Sequence, residues 1–138
     1  MSKEVASDSA AVANRLTMIT LVVGDMKKAK EFYAEKLGLG VATDYRQNDD
    51  NWWVMLTFPG GGAAMTLART STTSNEPPKP GTVSLYFSTL DLAAAHQDLR
   101  DNGLDTGEIR DNLYGPGSGV KFFQVKDPDG NLVTFAQE

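Results

Sequence analysis

The segment TLVVGDMKKAKEFYAEKLG, residues 20–38, contains the features that decide the fold. Its first residues are rich in Val and Thr, which favour a β-strand, and the pattern predicts that strand over residues 16–23. Asp25 follows, where a carboxylate can accept a free backbone N–H at the start of a helix. Apolar residues then recur at helical spacing up to Gly38, which can end a helix because glycine adopts a positive φ at little cost. The segment therefore predicts a strand followed by one capped helix.

Three further strands are predicted before the pattern starts again. They are separated by turn-forming clusters rich in Asn, Asp, Pro and Gly. The first half contains them at residues 41–46, 52–58 and 63–68. The second half contains strands at residues 82–88, 106–112, 120–125 and 132–136, with a helix capped by Asp91 after the first of them.

The spacing between matching residues indicates an internal duplication. Asp91 lies 66 positions after Asp25, and Gly103, which ends the second helix, lies 65 positions after Gly38. Thr134 in the last strand lies 68 positions after Thr66. A nearly constant offset over matching elements is typical of a repeated β-α-β-β-β unit.

We therefore predict an α+β fold in which two βαβββ modules pair into one structural domain. The paired modules form a concave mixed sheet with helices on the outer face, because one module alone could not bury its sheet. The predicted organisation is a mobile N-terminal arm at 1–14, a first module at 15–69, a linker at 70–81 and a second module at 82–138.

Composition excludes several classes of partner and site. Among 138 residues, 18 are acidic and 13 are basic, so a nucleic-acid partner is not expected at a net charge of −5. No apolar run is long enough to span a membrane, and the N-terminus lacks the apolar segment of a signal peptide. Cysteine is absent, which fits a reducing compartment, and we predict a cytoplasmic protein. His96 is the single histidine, so no site can use several imidazoles.

Three motifs together resemble a known superfamily. They are the stretch at 20–25, the sequence EFYAEKLG at 31–38 and the sequence DPDGN at 127–131. In these motifs the chain resembles the vicinal oxygen chelate proteins, which include glyoxalase, bleomycin-resistance proteins and extradiol dioxygenases, and the resemblance runs from Leu16 to the last residues. It implies paired modules with the site on the concave face of the sheet, and it makes a homodimer the expected assembly.

The resemblance also implies where a metal would bind. Metal enzymes of the superfamily place His, Gln or Glu on the first and last strands of each module. Carrying those positions over by motif gives Met18, Thr66, Ser84 and Thr134. These side chains are poor ligands for Zn²⁺, Fe²⁺ or Mn²⁺. We therefore predict no metal, no cofactor and no catalytic residue.

Strand alternation predicts which side chains line the concave face, independently of the resemblance. Ile19, Leu21 and Val23 would pack beneath the helix, which leaves the alternate residues facing the groove. That groove would be small, uncharged and rich in hydroxyls, which suits a planar, mostly apolar ligand held by a few hydrogen bonds. The predicted ligand-binding residues are Met18, Thr20, Trp52, Trp53, Thr66, Ser84, Tyr86, Phe122, Gln124 and Thr134.

Trp52 and Trp53 are adjacent in a predicted strand, so their side chains must point to opposite faces. One of them can form an aromatic wall for stacking a ligand. The other would then lie in the core or at a dimer interface. The sequence leaves open which tryptophan faces the groove.

The leading functional hypothesis is a metal-independent small-molecule-binding protein that resembles the resistance branch of the superfamily. Such a protein sequesters a drug or metabolite without altering it, which requires shape and stacking but no acid, base or metal. The alternative is an enzyme of the same superfamily, a glyoxalase-like lyase or isomerase or a dioxygenase, with displaced metal ligands. A degenerate structural or regulatory module is a third hypothesis.

Overall fold

The computed structural model describes residues 12–69 and 79–138. Its strands and helices follow the predicted order, with ends shifted by one or two residues at most positions. The elements are β1 (Met18–Val22), α1 (Met26–Lys30), a π-helical segment that continues it (Glu31–Lys36), β2 (Gly40–Arg46), β3 (Trp52–Thr57), β4 (Ala64–Ala68), β5 (Ser84–Thr89), α2 (Leu92–Asp101), β6 (Phe122–Lys126) and β7 (Leu132–Gln137).

Both predicted helix caps are confirmed. The Asp25 carboxylate accepts a hydrogen bond of 3.1 Å from the Lys28 backbone N–H, and Asp91 accepts one of 3.1 Å from Ala94. Gly38 and Gly103 follow the helices with φ of +79° and +85°, in the left-handed region where a side chain would be strained. The caps and glycines therefore predict the bounds of both helical regions, whereas the change to a π-helical segment at Glu31–Lys36 was not predicted.

The strands form two mixed sheets, one from each half of the chain, and the predicted α+β class is confirmed. The first sheet has the order β1-β4-β3-β2, and the second has the order β5-β7-β6. In both sheets the first strand of the half pairs in parallel with the last, while the other pairs are antiparallel. The strands are thus divided by their hydrogen bonds into a four-stranded and a three-stranded sheet rather than one continuous sheet.

The prediction of a strand at residues 106–112 is wrong. Only one isolated bridge forms in that segment, between Arg110 and Phe122. Thr106 is buried and its hydroxyl lies 3.1 Å from Nε2 of His96, which ties the segment to α2 instead of to the sheet. Gly107 then has a φ of +60°, which interrupts an extended backbone.

One hydrophobic core joins the two halves. The inward faces of both sheets and the buried sides of the helices belong to a single cluster that includes Leu21, Leu67, Phe123 and Val133. The residues predicted to pack beneath the first helix belong to this core. Leu21 and Val23 are buried in the cluster, and Ile19 packs against it. Phe58 and Phe87 meet edge to face across the halves, with ring centroids 5.1 Å apart.

A buried polar contact also ties the halves together. The Asp127 carboxylate accepts hydrogen bonds from the Tyr33 hydroxyl, at 2.6 Å, and from the Asn131 side chain, at 2.7 Å. The Asn131 and Asp129 backbone N–H groups donate to the same carboxylate. Burial, with the bond to Asp127, raises the pKa of Tyr33 far above its usual value, so Tyr33 remains a hydrogen-bond donor. Nearby, the Gly24 N–H donates to the Asp129 carboxylate at 3.0 Å.

Parts of the predicted organisation lie outside the described residues. This applies to most of the arm predicted at 1–14 and most of the linker predicted at 70–81. Within the described part of the chain, no helix combines the length and hydropathy that would span a membrane.

Candidate ligand-binding site

The face of each sheet that points away from the core is called its open face here. Strand register identifies this face in the first sheet, since residues paired side by side share one face. Thr20 pairs with Thr66, and Thr66 pairs with Met55, so these three side chains form a row across the open face. Thr20 is exposed, whereas its neighbour Leu21 is buried in the core.

The second sheet carries a matching row. Tyr86 pairs with Thr134, and Thr134 pairs with Gln124. The Tyr86 side chain is 64% exposed, and Ser84 is exposed on the same face of β5. The alternation predicted for the first strand of each half therefore agrees with the observed faces.

The register also assigns the two tryptophans. Trp53 lies beside Ala68 on one side and Tyr45 on the other, which places it on the open face of the first sheet. Its ring stacks on Tyr45 with centroids 5.7 Å apart and an interplanar angle of 28°. Trp53 is half-buried. An aromatic pair is therefore part of the open face, and Trp53 is the tryptophan that lies there, a choice that the sequence left open.

Trp52 lies on the helix side of the same sheet. Its indole N–H donates a hydrogen bond of 2.8 Å to Asp44, and the Arg46 guanidinium lies 4.2 Å from its ring centroid. Asp44 also pairs with Lys30 of α1, and that hydrogen bond is the main reason the pKa of Asp44 lies below its usual range. Trp52 is thus held by polar contacts away from the open face.

Arg110 lies on the open face of the second sheet, and the sequence reasoning missed it. The prediction of an uncharged groove is therefore wrong. Arg110 bridges to Phe122, and its guanidinium carbon lies 4.7 Å from the Phe122 ring centroid. The repeat contained the signal, since Arg110 lies 65 positions after Tyr45, the offset that relates Gly103 to Gly38. Phe122 and Arg110 therefore occupy the places that Trp53 and Tyr45 hold in the first sheet.

Three of the predicted contact residues are covered by neighbours, and the first is Phe122, which is 5% exposed beneath Arg110. Thr134 is 0% exposed, and the Gln124 amide donates a hydrogen bond of 3.1 Å to its hydroxyl. Thr66 is 7% exposed, and its hydroxyl donates to the Met18 sulfur at 2.9 Å. A molecule on the open face would meet Met18 and Gln124 before it met either threonine.

A cavity of about 540 Å³ lies beside the edge of the second sheet, at the segment that bridges to Phe122. It is an open depression rather than an enclosed pocket. Arg110 is among the residues that line it. The other residues lining it are Ile109, Asp111, Asn112 and Lys121. A cavity of about 260 Å³ lies near Trp52, on the helix side of the first sheet.

Comparison with known proteins gives the family. Residues 15–135 match the profile of the Glyoxalase/Bleomycin resistance protein/Dioxygenase superfamily. This match covers most of the chain and agrees with the repeated modules described above. The protein belongs to this superfamily.

Individual relatives match over most of their length. The uncharacterized protein YetH of Bacillus subtilis (strain 168) is 26% identical over 116 residues, which are 83% of this chain and 90% of YetH. TnmS3, an antibiotic binding protein from Streptomyces sp. CB03234, superposes with a TM-score of 0.75 at 22% identity, covering 92% of this chain and 98% of TnmS3. A glyoxalase/bleomycin resistance protein from Streptomyces sp. CB03234 gives a TM-score of 0.70 at 23% identity, with 88% and 99% coverage. The structural likeness establishes a shared fold.

The side chains at the superfamily's metal positions do not fit a transition metal. Met18 and Thr66 form a hydrogen bond with each other, Thr134 is covered by Gln124, and Ser84 supplies only a neutral hydroxyl. Zn²⁺, Fe²⁺ and Mn²⁺ bind imidazole, thiolate or carboxylate groups. Within residues 12–69 and 79–138, no three His, Cys, Asp or Glu side chains are grouped to hold a metal ion.

Proposed function

We propose that the protein binds a planar, mostly apolar small molecule on its open face without a metal ion, and sequesters it unaltered. The observation that carries the proposal is the stacked pair of Trp53 and Tyr45 on an open sheet face whose superfamily metal positions hold neutral side chains. Stacking on an aromatic ring holds a planar molecule through area and ring geometry, with no need for acid–base chemistry. The antibiotic binding described for TnmS3 supports a ligand of drug size.

Polar groups around the aromatic pair would orient the ligand. Thr20 is an exposed hydroxyl in the row next to Trp53, and Ser84 and Tyr86 are exposed hydroxyls on the second sheet. Gln124 uses one amide hydrogen to bind Thr134 and keeps a second donor. A few hydrogen bonds on an otherwise apolar surface give orientation and specificity.

We propose that a homodimer in the cytoplasm is the working form. Large apolar or aromatic side chains remain exposed on both open faces, with Met18 at 42%, Tyr45 at 45% and Tyr86 at 64%. Exposed groups of this kind are typical of surfaces that a partner or a ligand covers. A second copy would cover the rest of these faces symmetrically and leave a gap at the Trp53–Tyr45 pair for the ligand. The absence of cysteine fits a reducing compartment.

Calorimetric titration with 2-naphthamide, a neutral planar probe, tests the proposed site. We expect Trp53→Ala to weaken binding by about 1–3 kcal/mol, the range for loss of one aromatic stacking partner. Trp52→Ala is the matched control, because that tryptophan lies on the helix side, and it should leave the affinity unchanged while lowering the melting temperature. Equal affinity of wild type and Trp53→Ala, or a selective loss in Trp52→Ala, would show that the ligand does not stack at the proposed place.

A further inference from the structure

Arg110 is held in place on the open face by its neighbours. The flat guanidinium lies over Phe122, and one of its nitrogens donates a hydrogen bond of 3.3 Å to the Gln124 side-chain oxygen. Gln124 in turn donates to the buried Thr134 hydroxyl at 3.1 Å. The chain from Arg110 to Thr134 orients the guanidinium, since each member fixes the next.

The guanidinium keeps donors for a ligand. Arginine has five N–H groups, and the contact with Gln124 uses one. Two acidic side chains lie in the vicinity: Asp111 lines the same cavity, and Glu138 accepts a hydrogen bond from Ser88 of β5. Among residues 12–69 and 79–138, neither of them, nor any other acidic residue, forms an ion pair with Arg110. The positive charge therefore remains exposed at the edge of a cavity of about 540 Å³.

We propose that the ligand is a planar aromatic carboxylate whose acid group binds Arg110. A carboxylate matches the fork of two parallel N–H groups that a guanidinium presents. The ligand's ring would lie on the exposed part of the open face beside the guanidinium, because Phe122 itself is buried beneath Arg110. The net charge of −5 disfavours anions at the protein surface as a whole, so a fixed cation at this position selects for an acid group. This inference rests on the proposed function and adds the charge of the ligand.

The chain offers a matched control for Arg110. Arg46 also lies over an aromatic ring, that of Trp52 at 4.2 Å, but on the helix side of the first sheet. It forms an ion pair with Asp49. Arg46→Gln and Arg110→Gln therefore remove the same charge from the same type of contact, at two different places. Arg110→Lys keeps the charge and removes the fork.

Calorimetry with 2-naphthoate and 2-naphthamide tests the inference, since the two probes share a ring system and differ in charge. The wild-type protein should bind 2-naphthoate about tenfold more tightly than 2-naphthamide, because hydrogen bonds to a charged carboxylate are stronger than hydrogen bonds to a neutral amide. In Arg110→Gln the preference for 2-naphthoate should fall to about twofold or less, the small remainder that the exposed Lys121 at the same cavity can supply. Arg110→Lys should keep part of the preference, and Arg46→Gln should keep all of it. Melting curves confirm that each variant is folded.

The outcomes separate this inference from the proposed function. If 2-naphthamide binds as tightly as 2-naphthoate, or if Arg110→Gln keeps the tenfold preference, the proposal that Arg110 binds an acid group is wrong. The proposed ligand-binding function is unaffected by either result. If neither probe binds to wild type, the proposed function fails, and the inference fails with it.

Discussion

The two halves of the chain have the same order of elements but different side chains at matching places. In the first half, Trp53 is covered by Tyr45, which belongs to a seven-residue strand. In the second half, Phe122 is covered by Arg110, which reaches the sheet through a single bridge. The duplicated scaffold thus presents an aromatic pair on one open face and a ring beneath a cation on the other. We infer that the halves contribute different parts of one recognition task, ring stacking and polar orientation.

The largest difference between the halves is expected at the contact that joins them. Asp127→Ala should lower the free energy of unfolding by about 3–5 kcal/mol, because it leaves the buried Tyr33 hydroxyl and the Asn131 amide without their acceptor. The matching residue of the first half, 68 positions earlier, is the exposed Pro59, and Pro59→Ala should change stability far less. Urea unfolding measures both. Similar losses in the two variants would contradict the central role of Asp127.

A smaller effect is expected on assembly. Tyr86 and Thr20 occupy matching places on the two open faces, and Tyr86 presents much the larger exposed surface. If a second copy covers these faces, Tyr86→Asp should weaken the dimer by about 2 kcal/mol, as for a central aromatic contact. Thr20→Asp should weaken it less. Light scattering over a dilution series measures this. A wild-type protein that is monomeric at micromolar concentration would rule out the proposed dimer.

The smallest effect concerns Asp129, whose counterpart in the first half is Gly61. Burial is the main reason the pKa of Asp129 is raised, although the Gly24 N–H opposes this. One of its carboxylate oxygens is buried and has no hydrogen-bond partner among the described residues. The folded protein therefore binds the proton of the Asp129 carboxyl group more tightly than the unfolded chain does. As the pH rises through and above the ordinary Asp range near 4, loss of this proton lowers the free energy of unfolding.

Asp129→Asn should therefore raise the free energy of unfolding at pH 7 by about 0.5 kcal/mol, a modest gain because the side chain is partly exposed to solvent. The gain should disappear near pH 3, where Asp129 is protonated in both states. Urea titrations at the two pH values measure it, with Asp50→Asn at an exposed turn as the control. A variant that is less stable than wild type at pH 7 would show that the charge is favourable.

The helix bounds and the exposed strand positions could be predicted from the sequence because they depend on residues only a few positions apart. Asp25 and Asp91 act as helix caps through backbone N–H groups only three residues away. The exposed positions of Thr20 in β1 and Tyr86 in β5 follow from strand geometry and could be predicted from the sequence, although Val22, at the end of β1, is buried.

The rest depends on contacts between distant segments. Adjacent tryptophans point to opposite faces in any strand, and only the pairing of Trp53 with Tyr45 and Ala68 decides which one is on the open face. Arg110 was missed because its segment was assigned to a regular strand, whereas the structure gives it one bridge and a long loop. The burial of Thr134 beneath Gln124 is a side-chain packing effect that residue types do not reveal.

The central claim is that the open face binds its ligand without a metal ion, and one calorimetric experiment tests it most directly. The protein is treated with EDTA, dialysed and divided into three portions, of which one is left without metal, one is supplemented with equimolar Zn²⁺ and one with equimolar Mn²⁺. Titration with 2-naphthamide should give the same affinity in all three samples, because Met18, Thr66, Ser84 and Thr134 supply no ligand set that these ions prefer. Binding that is lost after EDTA and restored by either ion would contradict the account.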